Sequence, residues 1–195
     1  MKRIGIFGGS FDPPHIGHLI IAELAREQLL LDQVVFVPAF VPPHKMRDNV
    51  STALDRLRMT KLATRGNSSF RVSDIEIRRK GVSYTVDTIR AIKRRYPAAK
   101  LFLIVGGDSL AQFWSWKAPD EILANASLAV YARPGYDKER GGRADVRVHS
   151  VRGPLLQISS TEIRKRIAAK KSVRYLVTQP VRSYIARQRL YRHRS

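Results

Sequence analysis

The sequence predicts an α/β fold with a mainly parallel sheet and helices on both of its faces. Short apolar runs, typical of buried strands, alternate with longer stretches of helical periodicity over most of the chain. The first 37 residues already give strand, helix and strand, which is the βαβ unit of a parallel sheet. Near the other end, Ser159 and Glu162 have the spacing of a capping box, which places the start of a further helix there.

The individual elements follow from this periodicity in chain order. Apolar runs predict strands at residues 4–7, 34–37, 70–77 and 101–105, with weaker ones at 127–131 and 146–149. Apolar-periodic stretches predict helices at residues 14–31, 53–64 and 86–95, the last with Thr85 as its cap. We expect one Rossmann-like domain over residues 1–195, with a small helical C-terminal subdomain at about 159–195 and a surface excursion over most of 136–152.

Composition excludes several classes of site. The 195-residue chain has no cysteine, so disulfides, thiolate zinc sites, cysteine-ligated iron–sulfur clusters and a cysteine nucleophile are excluded. This is compatible with a reducing cytoplasm, where we expect the protein to act. The sequence has no stretch of about 18 unbroken apolar residues and no apolar region behind its basic N-terminus, so neither a membrane span nor a signal peptide is expected.

The net charge is unusual. Lys and Arg number 36 against 16 Asp and Glu, which gives +20 and favours a polyanionic partner. Half of that surplus lies in residues 161–195, where we expect a solvated helical face and a frayed tail. A basic nucleic-acid-binding protein is therefore one alternative. The sequence has no known reader motif, however, so nucleic acid is not expected to bind beyond non-specific electrostatic attraction.

The first strand runs directly into a loop rich in glycine and proline, residues 8–14, which a helix follows. Ligands of open α/β sheets bind at the carboxyl ends of strands, and a helix N-terminus with nearby glycines suits a phosphate. The segment does not fit G-x-G-x-x-G, and no Gly-Lys-Ser/Thr follows, which argues against a dinucleotide oxidoreductase and a Walker-type NTPase. The loop therefore predicts a phosphate site of another kind.

His15 and His18 lie three positions apart at the start of this predicted helix and can face the same phosphate. Two imidazoles can donate hydrogen bonds to phosphoryl oxygens as charge builds in a transition state, without acting as nucleophiles. Either one alone would more often be a capping or core histidine. Zinc is disfavoured and no metal ligands are assigned, because cysteine is absent and the other histidines lack ligand spacing.

Two segments resemble the signatures of one nucleotidyltransferase superfamily. GGSFDPPHIGH at residues 8–18 is similar to its T/H-x-G-H motif, and ISSTEIR at residues 158–164 is similar to its I-S-S-T-x-x-R motif. Each is moderately specific alone, and the pair in this order on an α/β chain is a strong indication. Within the superfamily, further segments resemble the bacterial nicotinate-nucleotide adenylyltransferases: VPAFVPPHK at 37–45, SYTVDT at 83–88, GGDSL at 106–110, WK at 116–117 and the closing stretch 181–190.

The resemblance implies transfer of the AMP part of ATP to nicotinate mononucleotide, which releases pyrophosphate and forms deamido-NAD in NAD biosynthesis. Mg²⁺ would accompany ATP. The phosphate oxygen of the mononucleotide would attack the α-phosphorus in line, a reaction that needs positioning and charge stabilisation rather than a covalent intermediate. The residues agree, because they supply glycines, histidines and cations and no evident activated nucleophile.

By the same resemblance His15, His18 and Arg164 are the catalytic candidates, with His18 the more direct stabiliser of the α-phosphoryl group. The candidate ATP-binding residues are these three together with Gly8, Gly9, Ser10, Phe11, Gly107, Asp108, Ser160 and Thr161. The candidate residues for the mononucleotide are His44, Lys45, Thr85 and Trp116. Trp116 could stack on the pyridine ring, whereas Trp114 is assigned to core packing.

Other acceptors stay open at this point. A related adenylyltransferase would use nicotinamide mononucleotide or phosphopantetheine, and the loop with His44 and Lys45, together with Trp116, argues against phosphopantetheine more than against the amide. No single group in the sequence decides between the acid and the amide. The sequence also leaves a homo-oligomer open.

Overall fold

Six strands form a single sheet in the computed structural model, which describes residues 1–42, 51–131 and 148–192. The strands are β1 (Arg3–Gly9), β2 (Gln33–Pro38), β3 (Phe70–Val72), β4 (Lys100–Gly106), β5 (Ala126–Tyr131) and β6 (Val148–Val151). Their order in the sheet is β3-β2-β1-β4-β5-β6, and every described pairing is parallel. The predicted α/β class is confirmed.

Helices connect these strands and cover both faces of the sheet. They are α1 (Ile16–Gln28), α2 (Ala53–Thr64), α3 (Ile75–Arg79), α4 (Thr85–Arg95), α5 (Gly107–Ala111), α6 (Pro119–Asn125), α7 (Ser160–Ala168) and α8 (Gln179–Arg187). A short 3₁₀ helix at Phe113–Ser115 lies between α5 and α6. The helix predicted at residues 53–64 has these same bounds, and the one predicted at 14–31 is shorter, because His15 is its N-cap and Leu29 its C-cap.

The strand order changes direction at β1, which pairs with β2 on one side and with β4 on the other. The chain runs outward from β1 to β3, then returns to β4 and continues to β6. In sheets of this kind the crevice at the carboxyl ends of the two central strands is the ligand site. Here those ends are the glycines Gly8 and Gly9 of β1 and Gly106 of β4.

Apolar side chains on each face of the sheet bury a separate core. One face, which includes Ile6 and Leu103, packs against Ile89 of α4. The other face, which includes Phe36 and Phe102, packs against Ala22 and Ala25 of α1. A third cluster lies away from the sheet and joins α2 with α7 and α8; its buried members include Met59, Ile163, Tyr184 and Ile185.

The strand predicted at residues 70–77 is correct only at its start. β3 ends at Val72, and residues 75–79 form the short helix α3. The helical turn buries Glu76 against Thr88 of α4, and Asp74 and Arg78 form an ion pair of 3.1 Å across it. The alternation of apolar and charged residues in this segment fits a helix turn as well as a strand.

Two other boundary predictions need correction. Thr85 is the first residue of α4, and the extended Tyr84 occupies its N-cap position. The last strand is shifted from residues 146–149 to Val148–Val151, where it pairs with Leu128–Tyr131 of β5. Residues 146 and 147, like most of the predicted surface excursion, lie outside the described residues.

The chain beyond α8 does not fray as expected. Its backbone turns back on the helix through hydrogen bonds from Arg189 to Ala186 (3.2 Å) and from Leu190 to Ile185 (3.1 Å). Tyr191 is only 7% exposed and belongs to the cluster of α2, α7 and α8. The expectation of a frayed tail is therefore wrong as far as Tyr191, because this ring is buried in the cluster. The solvated face is present, with Arg187 exposed.

The helices in the described part of the chain include none that is both long and apolar enough to cross a membrane.

We predict that Gly5→Ala lowers the free energy of unfolding by about 1–3 kcal/mol, because it overpacks the core. A Cβ atom on Gly5 would lie 2.8 Å from Cδ1 of Leu31 and 3.0 Å from Cδ1 of Ile104. The matched control is Gly8→Ala on the same strand, where a Cβ atom meets nothing within 4 Å. Urea unfolding measures both, and equal losses in the two variants would contradict the packing argument.

Candidate active site

The loop that leaves β1 combines an open glycine with a closely packed one. Gly8 is exposed, and a Cβ atom there would meet nothing, whereas a Cβ atom on Gly9 would lie 3.1–3.3 Å from the ring of Phe11. Phe11 itself has a φ of 51° and is 2% exposed, with its ring between those of Phe7 and Phe36. Gly9 therefore lets the backbone at the end of β1 lie close to the buried ring of Phe11.

His15 and His18 form one stacked pair at the start of α1. Their ring centroids are 3.6 Å apart and the rings are 28° from parallel. A Cβ atom on Gly17 would lie 3.1 Å from Nδ1 of His15, so the glycine between the histidines leaves room for this ring. The edge of the Phe11 ring supports His18 at a centroid distance of 5.0 Å. The H-x-G-H spacing thus has a packing reason as well as a chemical one.

A backbone hydrogen bond determines which nitrogen of His18 can donate. The backbone N–H of His15 donates to Nδ1 of His18 at 3.1 Å. A nitrogen that accepts this bond carries no proton, so the proton of the neutral ring is on Nε2. His18 is half-buried, and Nε2–H is the hydrogen-bond donor of its neutral ring.

His15 is uncharged at neutral pH because its side chain is buried. Its side chain is buried, at 7% exposure, and burial lowers its pKa from 6.5 to about 4. It can therefore act toward an anion as a neutral hydrogen-bond donor, not as a cation. A positive charge beside His15 must therefore come from another residue.

Arg164 supplies that charge, because the second signature docks on the first loop. Its guanidinium donates to the carbonyl oxygen of Asp12 at 2.8 Å and to Oγ1 of Thr161 at 3.3 Å. The hydroxyl of Ser160 donates to the carbonyl oxygen of Pro13 at 2.8 Å. Ser159 caps α7 by accepting from the backbone N–H of Glu162 at 3.1 Å, as the capping-box spacing predicts.

Arg56 is a buried cation that the sequence analysis missed. It lies on α2 and is 1% exposed, and its guanidinium donates to the carbonyl oxygens of Ser10 (3.0 Å), Phe40 (2.9 Å) and Ala39. It therefore ties the loop after β1 to the chain after β2. Residues 53–64 read as a helix with several exposed charges, so nothing local marks this arginine as the one that points inward.

A cavity of about 310 Å³ opens beside the first loop, between the ends of β1 and β4. Thr85 and Trp116 line it, as do Gly8, Gly9 and Ser10 of the loop. Trp116 packs against Phe113 at a centroid distance of 5.5 Å while it borders the cavity. Trp114 also packs against Phe113, at a centroid distance of 5.5 Å, and is not among the lining residues, in agreement with its assignment to packing.

Two charged residues of the cavity wall were also missed. Glu76 is 6% exposed and accepts a hydrogen bond from the hydroxyl of Thr88 on α4, and burial raises the pKa of its carboxyl. Lys117 lies over the ring of Tyr84 at 4.5 Å and pairs with Asp87 at 3.4 Å. The neighbouring Trp116 was a sufficient signal for Lys117, whereas Glu76 was hidden by the wrong assignment of residues 70–77 to a strand.

Known proteins resemble this chain over nearly its whole length. Residues 6–166 match the model of the cytidylyltransferase-like family. A protein of Exiguobacterium sibiricum named as a probable nicotinate-nucleotide adenylyltransferase is 48% identical over 191 residues, which cover 97% of this chain and 98% of that protein. A relative of the same name from Salinibacter ruber is 45% identical over 97% of both chains. The chain belongs to the nicotinate-nucleotide adenylyltransferase family.

A solved structure supports the fold of this adenylyltransferase over its whole length. The nicotinic acid mononucleotide adenylyltransferase of Plasmodium falciparum, complexed with NaAD, superposes with a TM-score of 0.80. It covers 98% of both chains at 19% sequence identity. The α/β architecture is thus shared where the sequences have diverged widely.

The structure of the adenylyltransferase brings most of the predicted site residues to one edge of the sheet. Gly107 and Asp108 form the first turn of α5, directly after β4, with Gly107 buried and Asp108 exposed. Gly106 is the N-cap of that helix. His44 and Lys45 lie outside the described residues. Among the residues that the structure describes, no cluster of three or more His, Cys, Asp or Glu could hold a metal ion.

We predict that His15 makes the adenylyltransferase less stable as the pH falls from about 6.5 to about 4. The unfolded histidine takes up a proton below pH 6.5, whereas the folded one resists protonation until its lowered pKa of about 4, so protons favour the unfolded chain. The full shift corresponds to a loss of about 3 kcal/mol. Urea unfolding of the parent and of His15→Gln over this range measures it, since all other titrating groups are shared. Parallel pH profiles would contradict the prediction.

Proposed function

We propose that the protein transfers the AMP moiety of ATP to nicotinate mononucleotide, releasing pyrophosphate and forming deamido-NAD for NAD biosynthesis. One observation supports this most strongly: the two signatures, far apart in sequence, dock on each other beside a cavity lined by Thr85 and Trp116. The names of the relatives at 48% and 45% identity specify the same activity. Because ATP is supplied in the cytoplasm, we place the reaction there.

The ATP phosphates bind along the loop after β1 and the start of α7. His18 donates from Nε2–H to an oxygen of the α-phosphoryl group, and the neutral His15 beside it donates to a neighbouring phosphate oxygen. Arg164 supplies the positive charge, with Ser160 and Thr161 in the first turn of α7, where the helix N-terminus also favours an anion. Gly8, Gly9, Ser10 and Phe11 contribute through their backbone, because the ring of Phe11 is buried.

The mononucleotide occupies the cavity. The face of Trp116 stacks on the pyridine ring, and the first turn of α4 at Thr85 lies next to it. A helix N-terminus and the nearby Lys117 both favour a carboxylate, which supports the acid over the amide. His44 and Lys45 complete the acceptor side in this proposal and would meet its phosphate.

The reaction needs no covalent intermediate. A phosphate oxygen of the mononucleotide forms a bond to the α-phosphorus while the bond from that phosphorus to the bridging oxygen of the β-phosphate breaks, and both electrons of that bond leave with pyrophosphate. The chain contributes orientation, exclusion of water by the cavity and donors for the charge that develops on the phosphoryl oxygens. His15 and His18 hold their protons throughout.

Mg²⁺ fits this site as a companion of ATP rather than as a resident ion. Mg²⁺ keeps several waters and is usually bound through one or two carboxylates and the substrate phosphates, so it requires no cluster of protein ligands. Asp108 is an exposed carboxylate at the end of β4 and would hold one of the metal-bound waters. When bound, the ion neutralises charge on the departing pyrophosphate.

The proposed activity predicts that incubation with ATP, Mg²⁺ and nicotinate mononucleotide yields deamido-NAD and pyrophosphate, which chromatography detects. Nicotinamide mononucleotide should react more slowly, and phosphopantetheine not at all. His18→Ala should lower turnover by about 10²-fold or more while the protein remains folded, since it removes a donor to the developing charge. A protein that is folded but forms no dinucleotide from the acid would refute the function, and near-normal turnover of the variant would refute the role of His18.

A second prediction concerns the acceptor side. Trp116→Ala should raise the KM for the mononucleotide by about 5- to 100-fold, the size of one lost stacking contact, and leave the affinity for ATP within about twofold. Trp114→Ala is the matched control, because that ring packs against the same Phe113 without lining the cavity. Steady-state kinetics with each substrate varied in turn separates the two. Equal losses for both substrates in Trp116→Ala would indicate disruption of the fold instead.

A further inference from the structure

A buried carboxylate lies at the base of the phosphate-binding loop, where the proposed reaction does not use it. Asp12 is 2% exposed and precedes His15 by three residues. Its Oδ1 accepts hydrogen bonds from the hydroxyl of Tyr191 at 2.5 Å and from the hydroxyl of Ser51. Asp12 does not line the cavity. Its carboxylate instead faces the hydroxyl groups of Tyr191 and Ser51.

Tyr191 reaches Asp12 from the opposite end of the chain. The two residues are 179 positions apart, and the tyrosine follows α8 at the close of the described sequence. Its φ of 63° turns the ring inward, next to the sulfur of Met59 at 3.9 Å. Burial and the neighbouring Asp12 raise the pKa of Tyr191 well above its ordinary value, so the hydroxyl keeps its proton as a donor.

The same residue connects to the catalytic candidates through its backbone. The carbonyl oxygen of Asp12 accepts from Arg164 at 2.8 Å, and the next carbonyl, that of Pro13, accepts from Ser160 at 2.8 Å. Asp12 thus binds Tyr191 through its side chain and Arg164 through its backbone carbonyl, three residues before His15. A shift of Asp12 would move Arg164 and His15 together.

We propose that Tyr191 is a positioning residue for ATP, because its hydrogen bond to Asp12, with that of Ser51, fixes the loop that carries His15 and the carbonyl that orients Arg164. The end of the chain is then part of the phosphate site, although it touches no substrate. This rests on the proposed function only in taking the phosphates of ATP as the ligand of the loop.

Tyr191→Phe, which removes a single hydroxyl, tests the proposal. Since a misplacement of about 1 Å costs up to about 10²-fold in rate, we expect at least about fivefold weaker binding of a non-hydrolysable ATP analogue and a comparable fall in kcat. The KM for the mononucleotide should stay within about twofold, because the cavity wall is untouched. Calorimetry measures binding of the analogue independently of turnover. The result therefore stands even if the acceptor is not nicotinate mononucleotide.

Tyr184→Phe is the matched control within the same cluster. Tyr184 on α8 also donates its hydroxyl to an aspartate, but to Asp55 of α2 at 2.7 Å and not to the loop. Loss of this hydroxyl should reduce the free energy of unfolding, and it should weaken binding of the ATP analogue by no more than about twofold. Equal effects of the two variants on analogue affinity would overturn the proposal, as would parent-like affinity and turnover in Tyr191→Phe.

Two further variants keep the test decisive if Tyr191→Phe does not fold. Ser51→Ala removes the other hydroxyl on Asp12 and should give the same selective loss of ATP analogue affinity. A chain that ends after Arg192 keeps Tyr191 but loses the last basic residues, and it should bind the analogue like the parent. Unchanged affinity in Ser51→Ala, or a fivefold loss in the shortened chain, would overturn the assignment.

Discussion

Three backbone carbonyl oxygens between β1 and α1 accept hydrogen bonds from side chains of distant helices. The conformation of the phosphate site depends on these three bonds. Arg56 of α2 holds Ser10, Arg164 holds Asp12 and Ser160 holds Pro13. A carbonyl that accepts from a fixed donor cannot turn toward an anion, where it would repel phosphate oxygens. The loop is thereby kept in one conformation before any ligand arrives, which reduces the ordering that binding would otherwise require.

Arg56 illustrates why this constraint is strict. Removing a guanidinium from water costs several kcal/mol, and burial lowers its pKa. Three carbonyl hydrogen bonds, each to a charged donor and worth about 1.5–3 kcal/mol, offset that cost only if all three are made. The chain after β1 and the chain after β2 must therefore come together in a single arrangement. The side chain of Arg56 thereby fixes Ser10 and Ala39, which both line the cavity, relative to each other.

The features that could be predicted from the sequence are those with a local signal. Strand and helix periodicity, the spacing of His15 and His18 and the cap at Ser159 each depend on residues a few positions apart, and each has a physical reason that a short segment contains. Phe11 was predicted only in part. The first signature marks it as a site residue but does not show that its ring is buried. The burial of Glu76 was not predicted, because its short segment fits both the strand and the helix periodicity. Only packing against Thr88 decides between the two.

Arg56 and Tyr191 could not be predicted, because their roles are set by partners that only the folded sheet brings near. Arg164 meets Asp12 across 152 positions and Tyr191 meets it across 179. Closing such loops costs conformational entropy that a few hydrogen bonds do not repay, so the parallel pairing of β1 with β2 and β4 must come first. We therefore expect the contacts of Asp12 with Arg164 and Tyr191 to form after the sheet. We therefore expect a chain that lacks its final turn to build the sheet while the carboxylate of Asp12 loses the hydrogen bond from Tyr191.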